Sequence, residues 1–238
     1  TTDVYVTLSD RAAIANRNNA DLFISVHTNA STSTSAHGTS VHVLGQSSKP
    51  NRDLYAGNLN VCKRENSVIL LEDDYSTTYQ GFDPNSPESF ILFNLMSSSH
   101  FENSIVFAEH VDREMRKSQF TISGYTGIHQ DPFWLLWKTA MPAVLLELGF
   151  ISNPGDLKVL TSAAGRDDIA AKLLAAFTSF KTSYDASLNA QTASAAVESP
   201  TPAPAPASAP VVASVKTDEA VKAESDLNVY YGVQIMGL

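Results

Sequence analysis

Cysteine is nearly absent: Cys62 is the only one in 238 residues. A lone cysteine excludes an intrachain disulfide framework, and its ordinary place is that of a small buried side chain. Long apolar runs are missing as well, for no stretch reaches the roughly eighteen uninterrupted apolar residues of a membrane span. Basic residues are outnumbered, with 16 Lys and Arg against 25 Asp and Glu and a formal charge of -9. That balance argues against nucleic acid or an anionic membrane as a partner, because both reward cationic surfaces. The compartment is not legible from these residues themselves.

What is present suffices for one sizeable domain plus an extension, at 43% hydrophobic and 17% charged residues. The organising stretch is Met141-Pro142-Ala143-Val144-Leu145-Leu146-Glu147-Leu148-Gly149-Phe150-Ile151-Ser152-Asn153-Pro154. Ala143 to Leu146 is a short continuous apolar run after a proline, as expected of a strand buried on both faces of a parallel or mixed sheet. Glu147 is expected where that strand ends. Ligand chemistry in open α/β sheets collects at the carboxyl ends of strands, which makes Glu147 a candidate general base or metal ligand. The alternative is a carboxylate that caps a loop or pairs with an Arg. A second apolar strand, Asp21-Leu22-Phe23-Ile24-Ser25-Val26-His27, ends in a histidine. His27 and Glu147 are therefore expected to meet at one edge, as a zinc hydrolase requires; a single hydrogen-bonded structural His is the competing reading.

The segments Ala20-Asp21-Leu22-Phe23-Ile24-Ser25-Val26-His27-Thr28-Asn29-Ala30 and Pro142-Ala143-Val144-Leu145-Leu146-Glu147-Leu148-Gly149-Phe150-Ile151-Ser152-Asn153 together resemble the zinc-dependent N-acetylmuramoyl-L-alanine amidases of the amidase 3 type. The resemblance covers about residues 1–184 and includes the opening 7–16. It implies a zinc ion with His27 as a ligand and Glu147 as the catalytic residue. It also implies cleavage of the amide joining the lactyl group of N-acetylmuramic acid to L-alanine in peptidoglycan. A periplasmic or cell-envelope location follows only from that substrate. The family's first zinc histidine, in an Asp-Pro-Gly-His-Gly-Gly motif, and its glutamate ligand have no counterpart among these residues. The expectation is therefore a fragment that lacks the first strand, its zinc loop and the next helix, and that binds zinc poorly because His27 supplies one ligand where three are usual.

The remaining elements are read in order. A helix capped by Ser9 runs to Asn16, with Leu8, Ala12 and Ala15 on one face. Thr39 to Leu44 alternates like a more exposed strand, and its His42, with nearby His37, is expected to be solvent-facing or structural. Residues 49–101 form a connection longer than two elements require, which marks such a segment as functional or mobile. Within it Leu54 to Glu65 has helical spacing, and Ser86, Pro87 and Glu88 open a second helix through Met96. That helix either packs on the sheet or acts as a lid. In the lid reading Glu65, or alternatively Glu72, occupies the zinc position meant for water, and an activator protein displaces it; otherwise both glutamates are solvated. A helix from Glu102 to Lys117 should present Ile105, Ala108, Val111 and Met115 inward. Phe133, Trp134 and Trp137 are core or sugar-stacking residues. His129 is expected in a loop and, with Asn29, is a candidate substrate contact. A short helix starts at Pro154, and a long final one from about Arg166 shows Ile169, Leu173, Phe177, Phe180 and Tyr184 on one face.

The expected fold is α/β, a mostly parallel or mixed central sheet flanked by helices and followed by a disordered Ala/Pro-rich tail. The catalytic domain is placed at 1–185 and an extended linker at 186–227. Residues 228–238 are similar to the first strand of a SPOR peptidoglycan-binding domain. Two functional classes remain open: a cell-wall hydrolase, and a non-catalytic peptidoglycan-binding or regulatory protein that keeps the groove without a full metal site.

Overall fold

The structure, a computed structural model, describes residues 4–45, 58–72, 74–79, 82–83, 100–118 and 127–197. Two compact units divide the chain; the first takes in residues up to Ser183, and the second is described over 184–197. Helix α1, Leu8–Arg17, is capped by Thr7, whose Oγ1 accepts from the Asp10 amide at 3.0 Å. The cap therefore lies two residues before the expected Ser9, because Thr7 already has the extended backbone that an N-cap needs. Leu8 and Ala12 are its buried residues.

Four strands make one mixed sheet: β1, Phe23–Asn29; β2, Ser40–Leu44; β3, Ile128–Asp131; and β4, Ala143–Phe150, in the order β1-β4-β2-β3. β1 runs parallel to β4 and β2 parallel to β3, while β2 and β4 are antiparallel. This is the α/β architecture with a mixed central sheet that the apolar runs predict. Central β4 is buried at every position except half-buried Leu148. Removal of side chains such as Leu145 and Leu146 from water contributes about 1.5 to 3 kcal/mol each. The expectation of an exposed β2 is corrected: all five of its residues are buried. Its alternation is real, but β2 is flanked by β3 and β4 and packed by a helix, so its polar residues face protein.

Between β2 and β3 come α2, Asn58–Ser67; a 3-10 turn, Val68–Leu71; α3, Tyr75–Thr78; and α4, Phe101–Met115. The apolar helix expected at 86–96 lies outside the described residues. α4 packs on β2 and buries Ser104, Phe107, Ala108 and Val111. Ser104 Oγ accepts from the Ala143 amide at 2.9 Å, which ties this helix to the start of β4. Next come α5, Trp134–Trp137, and α6, Pro154–Thr161. Asn153 caps α6 through its Oδ1, which accepts from the amides of Gly155 and Asp156, and Pro154 occupies the first turn.

The last helix, α7, spans Ala163–Val197. It begins earlier than Arg166 because Ser162 Oγ accepts from the Gly165 amide, and a Cβ on Gly165 would stand 2.2 Å from the Val159 carbonyl oxygen. It also continues past 186, where a linker was expected; the Ala-rich stretch up to Val197 is helical, as alanine favours. The rest of the expected linker and the SPOR-like end lie outside the described residues. Ile169, Ala176 and Phe180 are buried on α7, whereas Phe177 is exposed rather than inward. The core joins Phe133, Trp134, Tyr79, Ile69, Cys62 and Leu145. Phe133 and Trp134 are thus core residues, while Trp137 is partly buried with the Lys138 ammonium 3.6 Å from its ring centre.

Candidate functional site

In the β1–β4 pair His27 stands directly opposite Glu147. Neither residue terminates its strand, contrary to expectation: Glu147 lies inside the eight-residue β4 and His27 two positions before the end of β1. The run continues through Leu148 and Phe150 because a register shift after His27, with Gly149 at φ 138°, absorbs an extra residue.

Glu147 is completely buried, and among the described residues neither carboxylate oxygen has a hydrogen bond. Its charged neighbour is the Arg64 guanidinium, 3.8 Å from Oε1. Burial, reinforced by the charge of Glu65, pushes the Glu147 carboxyl up to about 8, with Arg64 offsetting part of the effect. His27 Nδ1 lies 3.0 Å from Glu65 Oε2, and its Nε2 lies 2.8 Å from Ser25 Oγ. Burial alone would raise Glu65, but the His27 hydrogen bond and the charges of His27 and Arg64 hold it below the usual carboxylate range.

His27, Glu65 and Glu147 each offer one ligand atom, and these atoms lie within 4.8 Å of one another. One imidazole and two carboxylates form a donor set that can bind a divalent metal ion. Two buried oxygens without hydrogen bonds are costly in a low-dielectric setting, and a cation there would satisfy them. The donors fit such an ion.

Glu65 reaches this position because three consecutive residues of α2 address three different targets. Arg64 donates from Nη1 to the Ala30 carbonyl at 2.8 Å and from Nη2 to Asn29 Oδ1 at 3.1 Å. Asn66 donates to the Pro132 carbonyl and accepts from the Trp134 amide. Between them Glu65 faces His27. The motif Lys63-Arg64-Glu65-Asn66 is thus a brace across the sheet, a role that its charges alone did not reveal. Glu72 is different, and its alternative assignment to the metal position is corrected. Its Oε1 accepts from Tyr5 Oη at 2.8 Å and the Leu8 amide at 3.3 Å, and its Oε2 accepts from Tyr79 Oη at 2.5 Å, so both oxygens are spent on α1 and α3. Burial and the hydrogen bond to Glu72 push the Tyr5 phenol up to about 12.

Asn29 is buried and accepts from Arg64 and the Ala30 amide. His129 lies in strand β3 rather than a loop, is buried, and faces the His42 ring at 5.3 Å. His42 is structural: its Nδ1 is 2.6 Å from Asp131 Oδ2 and its Nε2 2.8 Å from Ser40 Oγ, all within the sheet. His37 is half-buried and stands outside the cluster. Sequence reasoning missed Arg64 and Ser25 as neighbours of the cluster. The signal for Ser25 was available, since residues two apart on a strand share a face.

The chain is 29% identical over 186 residues to the N-acetylmuramoyl-L-alanine amidase AmiA of Escherichia coli strain K12, an alignment covering 77% of this chain and 60% of that protein. It is 26% identical over 181 residues to AmiC of Escherichia coli O6:H1, covering 75% of this chain and 40% of that one. Among solved structures, the N-acetylmuramoyl-L-alanine amidase from Clostridium difficile 630 superposes with a TM-score of 0.50 at 19% identity, over 77% of this chain and 69% of that chain, and so shares the fold. The chain therefore spans about 60% of the length of AmiA. Residues 1–179 match the N-acetylmuramoyl-L-alanine amidase family, and the chain belongs to it.

Proposed function

We propose that this chain carries the catalytic part of a zinc-dependent peptidoglycan amidase. Its reaction is hydrolysis of the amide between N-acetylmuramic acid and the L-alanine of the stem peptide, in the periplasm or cell envelope. The observation that carries the reading is a fully buried Glu147 without a hydrogen bond among the described residues, opposite His27 in a family whose relatives bear this activity in their names.

His27 would hold the zinc ion, which when bound supplies Lewis acidity toward the scissile carbonyl and toward water. Glu147 accepts the proton of the attacking water and returns it to the amine of L-alanine as the C–N bond breaks. Glu65 occupies a ligand position beside both residues, and in this reading it blocks the place that water needs. The segment from about 63 to 99, much of which lies outside the described residues, then acts as a lid that an activator protein moves, with a few kcal/mol of differential binding sufficient to shift it. Asn29 is held by Arg64 near this position and is a candidate substrate contact once the lid has moved, whereas His129 is buried in β3 against His42.

The test is release of stem peptide from purified sacculi by the complete gene product. Glu147→Gln keeps the shape and removes the proton acceptor, so turnover should fall by roughly 10² to 10⁴. Glu65→Ala should raise activity measured without any partner. Unchanged turnover in Glu147→Gln removes this residue from the mechanism, and unchanged or lower activity in a folded Glu65→Ala removes the lid.

A further inference from the structure

Ser25 and His27 are two positions apart on β1, so their side chains share one face of the sheet. Ser25 Oγ stands 2.8 Å from His27 Nε2, while the other ring nitrogen is 3.0 Å from Glu65 Oε2. Both nitrogens are engaged. The ionised Glu65 carboxylate only accepts hydrogen bonds, so in the neutral imidazole the proton stands on Nδ1 and Nε2 accepts from the Ser25 hydroxyl. A cation requires a lone pair, and Nδ1, the nitrogen beside Glu65, offers one only after its proton has gone. The neutral ring then carries its proton on Nε2, where it needs an acceptor. Ser25 Oγ supplies one by turning its own hydrogen away, since a hydroxyl both donates and accepts.

We propose that Ser25 is a positioning residue for His27, whose hydroxyl reverses its hydrogen bond and so lets Nδ1 pass from Glu65 to a divalent cation. This rests on the metal-binding reading of the cluster and deepens it. The proton count balances: one N–H bond is lost at Nδ1, one forms at Nε2 with water as carrier, and the hydroxyl rotates. Ligating histidines are commonly held in one tautomer by a partner on the other nitrogen, and loss of such a partner costs roughly 10- to 100-fold in metal affinity. A serine suits this place better than a carboxylate, because a carboxylate could accept from Nε2 but never donate to it.

The experiment is long-range proton–nitrogen correlation of the His27 ring in the 238-residue chain at one fixed pH, with and without Zn²⁺, assigned against His27→Gln. Zn²⁺ affinity is measured in parallel by calorimetry. The expected result is protonation at Nδ1 without the cation and at Nε2 with it. Ser25→Ala should mix the tautomers and weaken Zn²⁺ roughly tenfold or more, and Ser25→Thr, which keeps the hydroxyl, should restore both. Ser25→Ala indistinguishable from the parent overturns the proposal, as does Ser25→Thr behaving like Ser25→Ala. Failure of Zn²⁺ to bind the parent chain also overturns the proposal, because the reversal is then never called on. Tautomers that respond in this chain while the complete gene product releases no stem peptide would overturn the amidase reading and leave the role of Ser25 standing.

Discussion

Glu147 is destabilising in its charged form, and the sign of its pH dependence follows. Its proton affinity is raised from an unfolded value near 4.5 to about 8, so the folded chain binds the extra proton across that interval. The stability contributed by the neutral form is complete below the unfolded value and is lost as pH rises through the folded one, at up to about 1.4 kcal/mol per unit. In the presence of a chelator, Glu147→Gln should therefore flatten the denaturation midpoint between pH 5 and 8 and be the more stable protein at pH 8. A variant that follows the parent's slope in urea titrations would refute the assignment. Glu147 and His27 were legible in the sequence because each interrupts an apolar run. Their positions within the strands were not, since periodicity cannot register the bulge at Gly149 that lets β4 continue. Thr7 was likewise overlooked because Ser9 has equally good capping chemistry, and only the backbone angle distinguishes them.

α2 is held by side chains at its C-terminal end more than by its own propensity, which is poor for a segment containing three Asn. Arg64 forms the connection to β1, and a guanidinium is the group whose fixed fork can serve Ala30, Asn29 and Glu65 together. Arg64→Gln should accelerate amide exchange in α2 roughly tenfold while leaving β4 unchanged, and Arg64→Lys should recover only part of the loss. Equal protection of α2 in parent and variant would show that Asn66 alone holds the helix. At this scale the sequence told less. β1 and β4 were visible as apolar runs and the flanking helices as periodic patterns, but the residues of β3 around His129 were read as a loop, and β2 was judged by alternation, which reports two different faces rather than a wet one. The long helix was expected to stop where Ser, Thr and Pro accumulate, whereas Ala governs the stretch before them.

For the whole molecule, the cluster brings donors from three distant parts of the chain within reach of one cation. Any ligand that binds only the folded state stabilises it by mass action, about 2.7 kcal/mol at a free concentration 100 times Kd. Calorimetry with Zn²⁺ should therefore raise the melting temperature by several degrees over the chelated chain, and Glu65→Gln should lose a large part of that increase. A melting temperature indifferent to Zn²⁺ would mean that the three donors pair only with one another. The pairing of β1 with β4 also fixes an order of events during synthesis. His27 and Glu147 are 120 positions apart (147 − 27), so β1 leaves the ribosome long before its partner strand exists. At about 5 to 20 residues per second, the delay lasts roughly 6 to 24 s. During that interval the cluster has no geometry, and an ion encountered early finds an isolated histidine, not a site. The three donors can converge on a cation only after β1 and β4 have paired.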